Sequence, residues 1–252
     1  MTMTILADPQ EEAKRIIVAA AGRGLTLRLL GGLAVRCHCP SATHRALARG
    51  YPDLDFALAG KRSHQAEALL VELGYTPNKS FNLLNGNHRL LFFDETHTRQ
   101  IDIFVGSFHM CHRLPITERI ALDPLTLPLA ELLLTKMQIV QLNEKDVRDL
   151  CALLIDHPFG EGDEEMFNLP YLAGLCADDW GLWKTVTLSA QKVHDFCDAY
   201  ELEVNHKLTI LERLGVLHQG LEEASKGLKW KVRAKIGERV QWYELPEEVR
   251  RG

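Results

Sequence analysis

The sequence predicts an α+β fold in two parts, and three observations carry that reading. Residues 1–106 alternate between helical and strand patterns. The chain then turns helical. A Gly- and acid-rich segment, "HPFGEGDEEMF" at 157–167, separates two stretches of different character. The expected units are residues 1–156, which hold the strands, and residues 160–252, a helical C-terminal domain.

Each element follows from its local chemistry. "PQEEAKRIIVAAAG", 9–22, carries an early Pro, acids in its first turn and a terminal Gly, the signs of a helix. "LTLRLL", 25–30, reads as a strand, broken by Gly31 and Gly32, and "LAVRCHC" is apolar enough for a buried helix. "YPDLDFAL" is a second strand. "SHQAEALLVELG", 63–74, is an amphipathic helix with Ser63 expected as N-cap and Gly74 as its stop. "HRLLFFD", 88–94, and "RQIDIFVG", 99–106, form a hairpin around "ETHT". Helices are expected over 128–143 and 144–156. After residue 167 only helical patterns stand out.

Composition limits the function classes. The chain has 252 residues, 46% hydrophobic and 25% charged, with a net charge of −5. Such a balance gives no global attraction to nucleic acid or anionic membrane. No apolar run approaches the roughly 18 residues of a transmembrane helix, and the N-terminus lacks the pattern of a secretory signal. Six cysteines in apolar segments suggest a reduced, cytoplasmic protein. No Walker-type phosphate loop and no G-x-S-x-G nucleophile elbow is present.

The chemistry concentrates in "ARGYPDLDFALAG", 48–60. On a strand, Leu54, Phe56 and Leu58 face a core, while Asp53 and Asp55 stand on the opposite pleat, roughly 6–7 Å apart at Cα. Two such carboxylates repel unless a cation compensates them. Asp102 interrupts Ile101, Ile103 and Val105 in the later hairpin strand, so it converges with them if the two strands are neighbours. Hard carboxylate oxygens suit Mg²⁺, which keeps open positions for phosphate oxygens. Upstream, "LRLLGGLAV" is a strand, two glycines and a helix start, which lets backbone N–H groups approach an anion.

With its ordered motifs, "LLGGLAV…RGYPDLDFAL…QIDIFVG", the chain resembles the nucleotidyltransferase superfamily of the DNA-polymerase-β-like fold, and within it the abortive-infection toxin-like group. The resemblance spans about residues 15–155. It implies a nucleotidyltransferase-like core of a short mixed sheet flanked by helices. It further implies that Asp53, Asp55 and Asp102 are catalytic and hold Mg²⁺ or Mn²⁺, and that Gly31, Gly32, Arg49 and Lys136 bind the nucleotide. Lys145, Asp146 and Asp149 match the group's helical motif and would support the site from behind. Tyr51 stands where the group usually has Ser. The implied reaction moves an NMP from an NTP to an acceptor: a tRNA, a protein or a small molecule. The alternatives are a nucleotide-binding toxin or regulatory module with a cognate antitoxin and little turnover, or a metal-dependent phosphodiesterase.

Other features have plainer readings. Lys136 lies on the apolar stripe of its helix, either snorkelling from it or reaching the triphosphate. Cys37, Cys39, His109, Cys111 and His112 invite zinc, but C-x-C is tighter than a finger knuckle and small buried thiols are the simpler reading. The basic stretch 226–239, with Trp230 inside it, reads as a solvated helix face with Trp packed inward, or as an RNA contact.

Overall fold

The computed structural model describes residues 4–245. Its centre is a five-stranded mixed sheet in the order β1 (Leu27–Leu30), β2 (Leu54–Leu58), β5 (Arg99–Val105), β4 (Arg89–Asp94), β3 (Thr76–Pro77). β2 runs parallel to β5, and the other neighbouring pairs are antiparallel. The expected alternation holds along β2: Leu54, Phe56 and Leu58 are fully buried. The β4–β5 hairpin forms around 95–98 as expected. Asp94 caps that turn, accepting from the backbone N–H groups of Thr96 and His97, and its ion pair with Arg99 closes the strand ends. Residues 125–127 hydrogen-bond along the outer edge of β1, so that edge is not left open.

Helix α1 (Pro9–Ala21) begins at Asp8, whose carboxylate accepts from the N–H groups of Gln10 and Glu11. α2 (Gly31–His38) leaves β1 directly at the two glycines. α3 (Ser63–Glu72) differs from expectation at its start: Arg62 holds the cap position with no side-chain cap, and Ser63 is already helical. A short helix, α4 (Lys79–Asn85), lies between β3 and β4; its seven residues carry too little periodicity to be read. α5 (Leu129–Met137) stops earlier than residue 143, because 138–143 form the turn into α6 (Glu144–Asp156), capped by Asn143.

The segment 157–167 is a connection with structure of its own. β8 (Phe159–Gly160) and β9 (Phe167–Asn168) form a two-stranded parallel pair, where only loop and helix were expected. Another small hairpin, β6 (Phe108–His109) with β7 (Arg113–Leu114), follows β5. Beyond the connection, α7 (Leu169–Asp178), α8 (Trp180–Ala199) and α9 (Val204–Glu223) pack on one another and on α5 and α6. The buried apolar cluster runs without a break from Ala13 to Leu221. The last helix, α10 (Leu228–Ile236), turns Trp230 inward: its indole N–H donates to the Cys176 carbonyl at 3.0 Å and its ring meets Trp183 edge-on. Lys229, Lys231 and Lys235 face solvent. Among the described residues no helix is long and apolar enough to cross a membrane.

Candidate active site

Two carboxylates meet on the sheet. β2 and β5 lie in a register that sets Asp55 directly opposite Asp102. Neighbouring strands are about 4.8 Å apart, and side chains in register share a face. Asp102 is buried; Asp55 is partly covered. Burial, then the Asp102 charge, push the Asp55 carboxyl up to about 7, with Lys136 and Arg89 pulling weakly the other way. This is an acid held close to a like charge with too little positive charge around it.

Asp53 stands apart from the strand that was expected to hold it. β2 begins at Leu54, because its ladder to β5 starts there, and Asp53 is exposed just before it. Its charge still reaches Asp55 and raises it further. Among the described residues no three of His, Cys, Asp and Glu gather into a ready-made metal cluster.

The glycines are explained by what lies against them. Gly31 has φ +72°, a left-handed backbone that L side chains resist. A Cβ built there would collide with Asp55 Oδ2. At Gly32 a Cβ would collide with the Arg49 guanidinium. The space left by the two missing side chains is thus filled by an acid and a base of the site itself, where the sequence suggested room for a phosphate.

Behind this face runs a chain of ion pairs. Arg49 Nε donates to Asp149 Oδ1 at 2.8 Å, Nη2 to Oδ2 at 2.7 Å and Nη1 to the Gly50 carbonyl, with the guanidinium 4.4 Å from the centre of the Tyr51 ring. Lys136 Nζ sits 2.9 Å from Asp146 Oδ1 and 2.9 Å from Asp149 Oδ2. Lys136, Asp146 and Asp149 are all buried. Burial alone would lower the Lys136 pKa; the Asp149 and Asp146 carboxylates outweigh it and hold the pKa above the ordinary lysine value. Lys136 therefore neither snorkels nor stands free. The two aspartates, one turn apart on α6, converge on it. Lys145 of the same motif is exposed and has no ion pair or hydrogen bond among the described residues.

Two residues of the site carried no recognised signal in the sequence. Arg89 Nε donates to Asp102 Oδ1 at 2.7 Å, and Gln100 Nε2 donates to Asp102 Oδ2 at 2.7 Å. Gln100 lies two positions before Asp102 on β5, and so on its face. Arg89 lies two positions before Leu91, the register partner of Asp102. Period-two alternation across the hairpin was the signal that could have found both.

The zinc reading finds no support in the geometry: His112 is buried and its Nε2 is 2.8 Å from the Thr185 hydroxyl, and all six cysteines are free thiols.

No protein-family model matches the chain, and no curated protein matches it. Among solved structures, the antibiotic-resistance factor ANT(2'')-Ia matches with 14% identity and a TM-score of 0.36, over 56% of this chain and 79% of that one.

Proposed function

We propose that the chain is a metal-dependent nucleotidyltransferase that moves an NMP from an NTP to an acceptor. The observation that carries this reading is Asp55 set in register against Asp102, with its carboxylate lying against the glycine that opens α2. It supports a site in which a helix start, two acids and a compensating cation meet at one point of the sheet. The finer resemblance to the abortive-infection toxin-like group rests on its motifs alone.

The donor set fits a hard divalent ion. Asp55 offers carboxylate oxygens short of positive charge, and Asp53 stands nearby in solvent. Asp55, joined by Asp53 and Asp102, would hold Mg²⁺ or Mn²⁺, and the bound ion would supply charge stabilisation to phosphate oxygens. The protein's own part is positioning. Gly31 keeps the α2 backbone against Asp55. The Asp149 pairs fix Arg49 over Gly32, and the buried Lys136 holds a fixed positive charge behind Asp55.

Incubation with each α-labelled NTP, Mg²⁺ and total tRNA or lysate tests the reading. Label covalently attached to an acceptor, and absent with Asp55→Asn, is the expected result. Label released only as NMP points to hydrolysis, and binding without turnover to a nucleotide-binding regulatory module. Protein that neither binds nor turns over any NTP contradicts the proposal.

A further inference from the structure

Arg89 is held at one end and open at the other. It begins β4, on the sheet face that carries Asp102. Its Nε donates to Asp102 Oδ1, and its guanidinium carbon lies 5.1 Å from the centre of the Phe104 ring and 5.7 Å from that of Phe81. The side chain is 18% exposed. Nη1 and Nη2 make no hydrogen bond among the described residues, yet neither is sealed from solvent. A guanidinium has five N–H donors in one plane, and four of these belong to the two terminal nitrogens.

The other site cations contrast with it. Arg49 spends Nε, Nη1 and Nη2 on Asp149 and Gly50, and Lys136 spends Nζ on two aspartates. Lys145 is exposed and has no anchor among the described residues. Arg89 alone of these four is both fixed beside the paired carboxylates and unspent. A planar pair of donors held by an acid and two rings is preorganised for an oxyanion that accepts from both terminal nitrogens. Asp102, with Gln100 on its second oxygen, is then an anchor as much as a ligand.

Resting on the nucleotidyltransferase reading, we propose that Arg89 binds the triphosphate of the incoming nucleotide, with Asp102 and Gln100 as its mount. Positive charge at the site is then divided between a cation at Asp55 and the Arg89 guanidinium. Asp102, with each oxygen accepting one side-chain hydrogen bond, then serves the single cation at Asp55 and the mount of Arg89 rather than a second metal position.

Calorimetric titrations at pH 8 test this with two probes: inorganic triphosphate in the presence of Mg²⁺, and Mn²⁺ alone. The proteins are the wild type, Arg89→Lys, Arg89→Gln and Asp55→Asn, each first checked for a cooperative melt. Arg89→Lys keeps a charge for Asp102 but loses the planar fork. It should bind triphosphate about tenfold or more weakly, with Mn²⁺ affinity unchanged and one Mn²⁺ per chain. Arg89→Gln should lose more. Unchanged triphosphate affinity in both Arg89 variants, while Asp55→Asn abolishes it, overturns the role of Arg89 and leaves the parent reading standing. Tighter Mn²⁺ binding in Arg89→Gln with triphosphate unaffected makes Arg89 a counter-ion only, and also overturns it. A wild type that binds neither triphosphate nor any of the four NTPs overturns both.

Discussion

The seam between α5, α6 and the loop before β2 holds two aspartates and two cations: Asp146 and Asp149 against Lys136 and Arg49. The sheet face a few residues away holds two aspartates against one arginine, Asp55 and Asp102 against Arg89, with Asp53 exposed just before β2. In the seam both charges of each sign are matched, buried and geometrically closed, and the lysine is held above its usual pKa. On the sheet face an acid is raised to about 7 by burial and by the like charge of Asp102 beside it. A balanced buried cluster is satisfied from within; an unbalanced one leaves an acid whose charge only an added cation or a proton can offset. Both clusters look alike in sequence, as aspartates in apolar company. Only the partners tell them apart.

The largest expected effect comes from breaking the seam. Asp149→Ala leaves Arg49 and Lys136 without their shared acid, both part or wholly buried, and should cost about 3–5 kcal/mol in urea unfolding. A loss under about 1 kcal/mol would mean that the seam is wet and loosely held.

The sheet face should respond with the opposite sign. A carboxyl at about 7 in the fold and near 3.8 in the unfolded chain binds its proton more tightly when folded. Folding is therefore penalised as pH rises from 3.8 to 7, and the penalty stays constant above that. Asp55→Asn removes it. The variant should be more stable than wild type by about 2–4 kcal/mol at pH 8, with the gain gone below pH 4, and inactive throughout. Denaturant melts at four pH values read this out directly, and a pH-independent difference would break the contrast with the seam.

Gly31→Ala tests the contact between helix start and acid. The left-handed backbone and the clash with Asp55 Oδ2 together should cost about 1–3 kcal/mol. In an Asp55→Ala background the clash disappears and the φ strain stays, so part of the cost should return in a double-mutant cycle. Full additivity would mean that the two residues do not touch. The smallest effect belongs to the basic helix. Lys229, Lys231 and Lys235 are exposed, and their change to Glu should move stability by less than about 0.5 kcal/mol each, whereas Trp230→Ala removes a packed ring and should lower the melting temperature visibly.

Much of this arrangement was legible along the chain, and what was missed has physical causes. Period-two alternation gave β2 and β5 their buried faces, and the third acid was expected on a strand beside the first pair, where Asp102 lies. Helices with side-chain caps or strong amphipathic faces, α1 and α6, were read to within a residue or so of both ends. Features as short as the seven-residue α4 and the two-residue strands β8 and β9 leave too little period to read. The partners were hardest. Asp149 meets Arg49 across 100 residues and Lys136 meets Asp146 across a turn, and sequence spacing alone carries neither distance. Arg89 was missed because its role depends on which residue faces it across a hairpin, which shows only when the period-two alternation is carried over both strands.

If a divalent cation completes the sheet face, it must act on the Asp55 carboxyl first. Carbon-13 NMR titration of the Asp55 side-chain carboxyl, without and with Mg²⁺, tests this most directly. The expected result is a midpoint near 7 in the free protein and a fall well below it when Mg²⁺ is present. A midpoint in the ordinary carboxyl range, or one near 7 that Mg²⁺ does not move, would contradict it.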